Sequence, residues 1–160
     1  MIENDFIIGM VRSEAEKRTA LHRGRASQRP LGKNYDEVGL AGEFEFGKWA
    51  GLFPDLEART KGDKGIDFRV LLRYTVDVKT ARRAYSLLHE QGKPLADIYV
   101  LAEYDDETGE ARLVGWEWGK TVARAPVIDL GRGVLNHSID RSALRPMSEL
   151  EQYLFRPDRA

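Results

Sequence analysis

The clearest apolar–polar alternation lies in residues 65–80, GIDFRVLLRYTVDVKT. Ile66, Phe68, Val70 and Leu72 recur at every second position, and Val76 and Val78 do the same after a break. A period of two marks a strand with one buried face. Strands are therefore predicted at about 66–72 and 75–80, joined by a turn. ADIYVLAEY and ARLVGWEW read as two further strands, with DDETGE as the turn between them. Residues 35–53, YDEVGLAGEFEFGKWAGLF, carry a helical pattern instead. Val38, Ala41, Trp49 and Leu52 form one stripe, which Leu40 and Phe44 widen. The four glycines of this segment either let the helix approach a neighbour closely or break it. ARRAYSLLHEQGKP reads as a second helix ended by Gly92 and Pro94. GKTVARAPVIDLG accommodates a short helix, and SALRPMSELEQYLF a turn followed by a segment that packs on the body. The order is helix, strand, strand, helix, strand, strand and a mixed tail. It predicts an α/β or α+β domain, a central mixed sheet flanked by helices.

A chain of 160 residues with no internal repeat and no clear linker suits one domain. Residues 1–34 are assigned to it as an N-terminal basic segment, ahead of a main body at 35–160. The formal net charge of -1 does not announce a nucleic-acid binder. Its distribution says more. Between Arg12 and Lys33 there are seven Lys or Arg against two Glu, whereas Asp97–Glu117 holds seven acids against one Arg. One part of the surface can face a polyanion while another repels it, although a charge run is also an ordinary solvated face.

Without cysteine there is no disulfide, thiolate chemistry or Cys-based zinc site. His22, His89 and His137 have no ligand spacing, and His89, beside the apolar YSLL run, reads as structural. MIENDFIIGMVRSEAEKR places acids ahead of a very short apolar run, unlike a signal peptide. No stretch has the length or apolarity of a bilayer span. The expectation is a cytoplasmic protein with no membrane partner. KGDKG lacks the Gly-Lys-Ser/Thr ending of a phosphate-binding loop, so no nucleotide cofactor is expected.

The candidate chemistry lies on the polar face of the first two strands. Asp77 and Lys79 share a face because they are two residues apart, and Asp67 falls on the polar face of the preceding strand. Pairing as a hairpin would set Asp67 near Asp77 or Lys79. Two adjacent carboxylates repel each other unless a cation lies between them. Mg²⁺ prefers such oxygen ligands together with substrate phosphates. A lysine alongside would stabilise charge developing on phosphorus. An Asp–Lys pair at this spacing is also an ordinary surface ion pair. The ion pair alone does not account for Asp67.

These residues resemble the PD-(D/E)xK, or restriction-endonuclease-like, nuclease superfamily. The corresponding parts are Glu43 in GLAGEFEFGKW, Asp67 in KGDKGIDF, and Asp77 with Lys79 in VDVKT. The resemblance covers about residues 35–104, extends more loosely into the later strands, and includes the closing LRPMSEL, which looks like the tail of small phage and bacterial members. It implies a restriction-endonuclease-like core and a Mg²⁺-dependent deoxyribonuclease, with Mn²⁺ able to substitute. Asp67, Asp77 and Glu43 are the implied metal ligands, and Lys79 is the implied catalytic lysine. Ile66 stands where the motif's name has Pro, and Asp77 where Glu is frequent. The resemblance favours endonuclease over exonuclease action, allows a homodimer, and suits a phage or bacterial protein.

DNA is the implied partner. Lys61 and Lys64 precede Asp67, and Arg82 and Arg83 follow Lys79, so these four are expected at the mouth of the site on phosphates. Arg18, Arg23, Arg25, Arg29 and Lys33 would form a basic arm beside it. No helix-turn-helix or zinc finger is present to read sequence. Phe44, Phe46, Trp49, Trp116 and Trp118 are expected to pack in the core rather than stack on bases, with Glu117 facing away from its two tryptophan neighbours toward solvent. The alternative to a nuclease is a non-catalytic nucleic-acid or protein-binding factor on the same fold.

Overall fold

The computed structural model of the chain describes residues 35–51, 68–70 and 74–155. Helix α1 spans Tyr35–Ala50. Its end is set by Gly51, whose φ of 69° is a left-handed conformation that glycine adopts without a Cβ penalty. The helix is three residues shorter than its apolar pattern suggested, and Leu52 lies outside the described residues. Strands β1 (Phe68–Val70) and β2 (Tyr74–Ala81) pair antiparallel, as the alternation predicted, with Phe68 opposite Val76 and Val70 opposite Tyr74.

β2 then pairs in parallel with β4 (Ile98–Asp105), and β4 pairs antiparallel with β5 (Glu110–Trp118) through the predicted turn. The result is a four-stranded mixed sheet in the order β1-β2-β4-β5. The starts of its two parallel strands are tied together. Asp97 Oδ2 accepts from both Thr75 N–H and Thr75 Oγ1–H, at 2.8 and 2.9 Å, and Asp97 N–H donates back to Thr75 Oγ1.

A parallel pair needs a long crossover. Here it runs through the segment read from sequence as a second helix, and that reading is corrected. Ser86–Glu90 is strand β3, paired antiparallel with β7 (Leu135–Asp140), which also pairs with β6 (Val127–Asp129). Ala84, Leu87 and Leu88 fit a helical face, but the competing period of two prevails. Leu87 and His89 turn inward because β7 supplies a hydrogen-bonding edge and the main sheet an apolar floor. The small sheet β3-β7-β6 was not foreseen. The short helix predicted after β5 is present as α2 (Gly119–Val122), and the tail forms a 3₁₀ turn at Arg141–Ala143 followed by α3 (Met147–Phe155).

These elements make an α+β fold with buried hydrophobic clusters on both faces of the main sheet. Phe46 from α1 and Leu150 and Leu154 from α3 join Val76, Val78, Ile98, Val100 and Trp116 on one face. On the other, Tyr99 and Leu101 meet Leu87 of β3 and Val122 of α2. The aromatic residues behave as packing groups. Phe46 and Trp116 are fully buried, and Trp49 and Trp118 pack partly buried against the same cluster. Glu117 departs from expectation. It is buried, because Arg145 reaches it at 3.1 Å and compensates its charge.

Candidate functional site

The alternation along β2 sorts its side chains onto two faces. Val76, Val78 and Thr80 face α1. Asp77 and Lys79 face the opposite way, beside Tyr99 and Leu101 of β4, with which they are in register. The structure brings Asp77 and Lys79 together, with Lys79 Nζ 2.6 Å from Asp77 Oδ2. The Asp77 side chain is only 4% exposed, while that of Lys79 is 38% exposed. The carboxylate is therefore interior and the lysine reaches toward solvent.

Tyr99 and His89 complete the surroundings of this pair. Their rings lie 5.1 Å apart, and His137 stacks on the far side of His89 at 6.5 Å. The two histidines, distant in sequence, are direct partners across β3 and β7. His89 Nε2 contacts the Lys93 carbonyl at 3.3 Å. Burial holds the His89 pKa below 6.5, and the Lys79 ammonium adds to the lowering while Asp77 opposes it. Burial likewise pushes the Tyr99 phenol up, and the Asp77 charge reinforces that. Tyr99 Oη accepts the Ala96 N–H at 3.0 Å, which fixes the ring beneath the pair. The sequence reading passed over Tyr99, although its place in IYVLAEY put it two residues from Leu101 on one strand face.

Glu43 is buried on α1, the helix that crosses the other face of β2. The crossing is close at Gly42. A Cβ there would lie 1.8 Å from Thr80 Oγ1, so only glycine lets the helix come this near. The Thr80 hydroxyl is buried at this contact with no hydrogen-bond partner among the described residues. Gly42, the neighbour of Glu43 in sequence, thus packs on Thr80, the residue after Lys79, from the face of β2 opposite Asp77 and Lys79. Along one edge, β2 pairs with β1 from Tyr74 to Val76, and Asp77 is the next residue.

Of the expected phosphate contacts, Arg82 is engaged. Its Nε is 2.7 Å from Asp106 Oδ2, and its guanidinium lies over the Tyr104 ring. Arg83 is exposed and has no ion pair among the described residues. Asp67, Lys61, Lys64, Arg18, Arg23, Arg25, Arg29 and Lys33 lie outside the described residues. Among the described residues, no three His, Cys, Asp or Glu side chains converge as a metal site, and no helix is long and apolar enough to cross a membrane. No family model, curated protein or solved structure matches the chain.

Proposed function

We propose that this protein is a metal-dependent deoxyribonuclease of the PD-(D/E)xK kind, with Glu43, Asp67, Asp77 and Lys79 as its working set. The observation that carries this reading is the interior Asp77 carboxylate held 2.6 Å from a solvent-reaching lysine. An ion pair with a buried member is poor value as a stabilising device, since desolvation offsets much of the attraction. An acid and a lysine at this depth suit a site where charge is needed.

Two further features support the set. Asp67 precedes Phe68 in sequence, and Phe68 pairs with Val76, the residue before Asp77. Glu43 follows Gly42, whose backbone packs on Thr80, the residue after Lys79. The proposed ligand set suits a hard cation in its chemistry, being three carboxylates. Asp67, Asp77 and Glu43 would hold Mg²⁺, or Mn²⁺ in its place. The ion would supply an acidified water and positive charge at phosphorus. Lys79 stabilises the charge that develops on the phosphoryl oxygens, and Asp77 keeps its ammonium in position. Tyr99 and His89 close the floor of the site, so that the Asp77–Lys79 pair acts in a region of reduced dielectric.

Purified protein is incubated with single-stranded, duplex, flapped and branched DNA, with Mg²⁺ or Mn²⁺ and with chelator. Metal-dependent cleavage is expected, and Asp77→Asn and Lys79→Ala should lose it. If no DNA is cut, or both variants cut as well as the parent, the proposal is wrong. DNA binding indifferent to metal and to Asp77 would favour the binding-factor alternative.

A further inference from the structure

The connector after β2, Arg82-Arg83-Ala84-Tyr85, is pinned to its surroundings. Ala84 is buried, and its N–H donates to Glu103 Oε2 at 3.2 Å. Tyr85 N–H donates to the Arg83 carbonyl at 3.0 Å, and the Tyr85 carbonyl accepts from Arg141 N–H at 2.9 Å. Arg141 Nη1 also holds Glu103 Oε2 at 3.0 Å, tying the connector's two anchors to each other. On either side of the buried alanine, a tyrosine and an arginine project outward.

Among the described residues Tyr85 is the most exposed large hydrophobic, at 64%, and its ring has no aromatic or cationic partner there. A lone exposed tyrosine is ordinary. This one sits on a fixed backbone, two residues from the exposed Arg83 and six positions after Lys79. That span is at most roughly 20 Å when fully extended.

We infer that the Arg83–Tyr85 turn grips one unpaired nucleotide of the DNA strand, Arg83 on its phosphate and Tyr85 on the face of its base. This names the substrate class of the proposed nuclease as DNA with unpaired nucleotides next to the cut, and it rests on that reading. Aromatic stacking needs a base with a free face, which a strand outside a duplex provides. The surroundings disfavour a duplex at this place. The tip of the β4–β5 hairpin is acidic, with exposed Asp105, Asp106, Glu107 and Glu110, and it reaches the connector through the Arg82–Asp106 ion pair. A second phosphate backbone on that side would meet like charge.

The test is anisotropy of a labelled oligothymidylate and of a labelled blunt duplex, titrated with the full chain in chelator. The proteins are the parent, Tyr85→Ala, Tyr85→Trp, Arg83→Ala and Asp77→Asn. Tyr85→Ala should weaken oligothymidylate binding roughly 5- to 150-fold, the loss of one stacked base. It should leave duplex binding within about twofold on the same scale. Tyr85→Trp should restore or exceed the parent, and Arg83→Ala should weaken binding and flatten its salt dependence. Circular dichroism melts of each variant check that the fold is retained. Equal binding of oligothymidylate by parent and Tyr85→Ala, equal weakening of both DNAs, or failure of Tyr85→Trp to rescue overturns the inference. Failure of the nuclease reading looks different. There, Tyr85-dependent binding persists while no metal produces cleavage.

Discussion

Two glycines one turn apart in α1 should respond in opposite directions to the same substitution. Gly39→Ala adds a methyl where nothing lies within 4 Å. It should stabilise the protein by about 0.5–1 kcal/mol through the lower backbone entropy of the unfolded chain. Gly42→Ala gains the same propensity term but drives its Cβ to 1.8 Å from Thr80 Oγ1, with Thr80 Cβ at 3.0 Å and Cγ2 at 3.1 Å. Rotating the threonine moves its oxygen but not its Cβ, so the helix itself must shift. Overpacking of this kind costs about 1–3 kcal/mol, which leaves roughly 1–2 kcal/mol of net loss. For a chain of this size that lowers Tm by roughly 2–8 °C. Thr80→Ala removes the oxygen and the methyl, and should recover about 1 kcal/mol when combined with Gly42→Ala. Thermal and urea melts followed by circular dichroism measure all four proteins. The reasoning fails if Gly42→Ala is as stable as Gly39→Ala, or if Thr80→Ala gives no relief. On the proposed reading, Gly42→Ala also displaces Glu43. Cleavage should then fall at temperatures where the variant remains folded.

Lys79→Ala should reduce the cleavage rate by about 10²–10³-fold, as removal of a preorganised charge-stabilising group does, and Asp77→Asn by at least as much; single-turnover kinetics read both. Acid should destabilise the fold in two stages. The folded pKa of His89 lies below 6.5, so the unfolded chain binds the extra proton first. Its contribution is full above about pH 6.5 and is lost as pH falls below that value, and His89→Gln should flatten Tm between about pH 7 and 5. Glu103 is held below 4.5, first by the Arg112 hydrogen bond, so its contribution persists to lower pH and is lost only beneath 4.5. Glu103→Ala deprives Ala84 N–H and Arg141 of their acceptor, and should cost about 1–2 kcal/mol in urea melts at neutral pH. The exposed Arg112 arm adds little.

Local pattern alone determined a good part of this protein. The period of two in VDVKT and IYVLAEY set which residues share a face, because a pleated strand alternates faces whatever it pairs with. That Asp77 and Lys79 share a face follows from the same geometry, since residues two apart on a strand point the same way. α1, the β4–β5 hairpin and the packing role of Phe46 and Trp116 were legible for similar reasons. Other features depended on partners distant in sequence. ARRAYSLLHEQGKP carries both periodicities, and β7, some fifty residues away, decided for the strand by offering an edge to pair with. Glu117 looked solvent-facing until Arg145 arrived beside it. The Gly42–Thr80 contact and the Tyr99–His89–His137 stack beneath Asp77 join residues from separate elements, and no window along the chain contains them. Which backbone edges pair and which faces close over a charge are properties of the assembled molecule, because hydrogen-bonding edges and desolvation exist only once the layers meet.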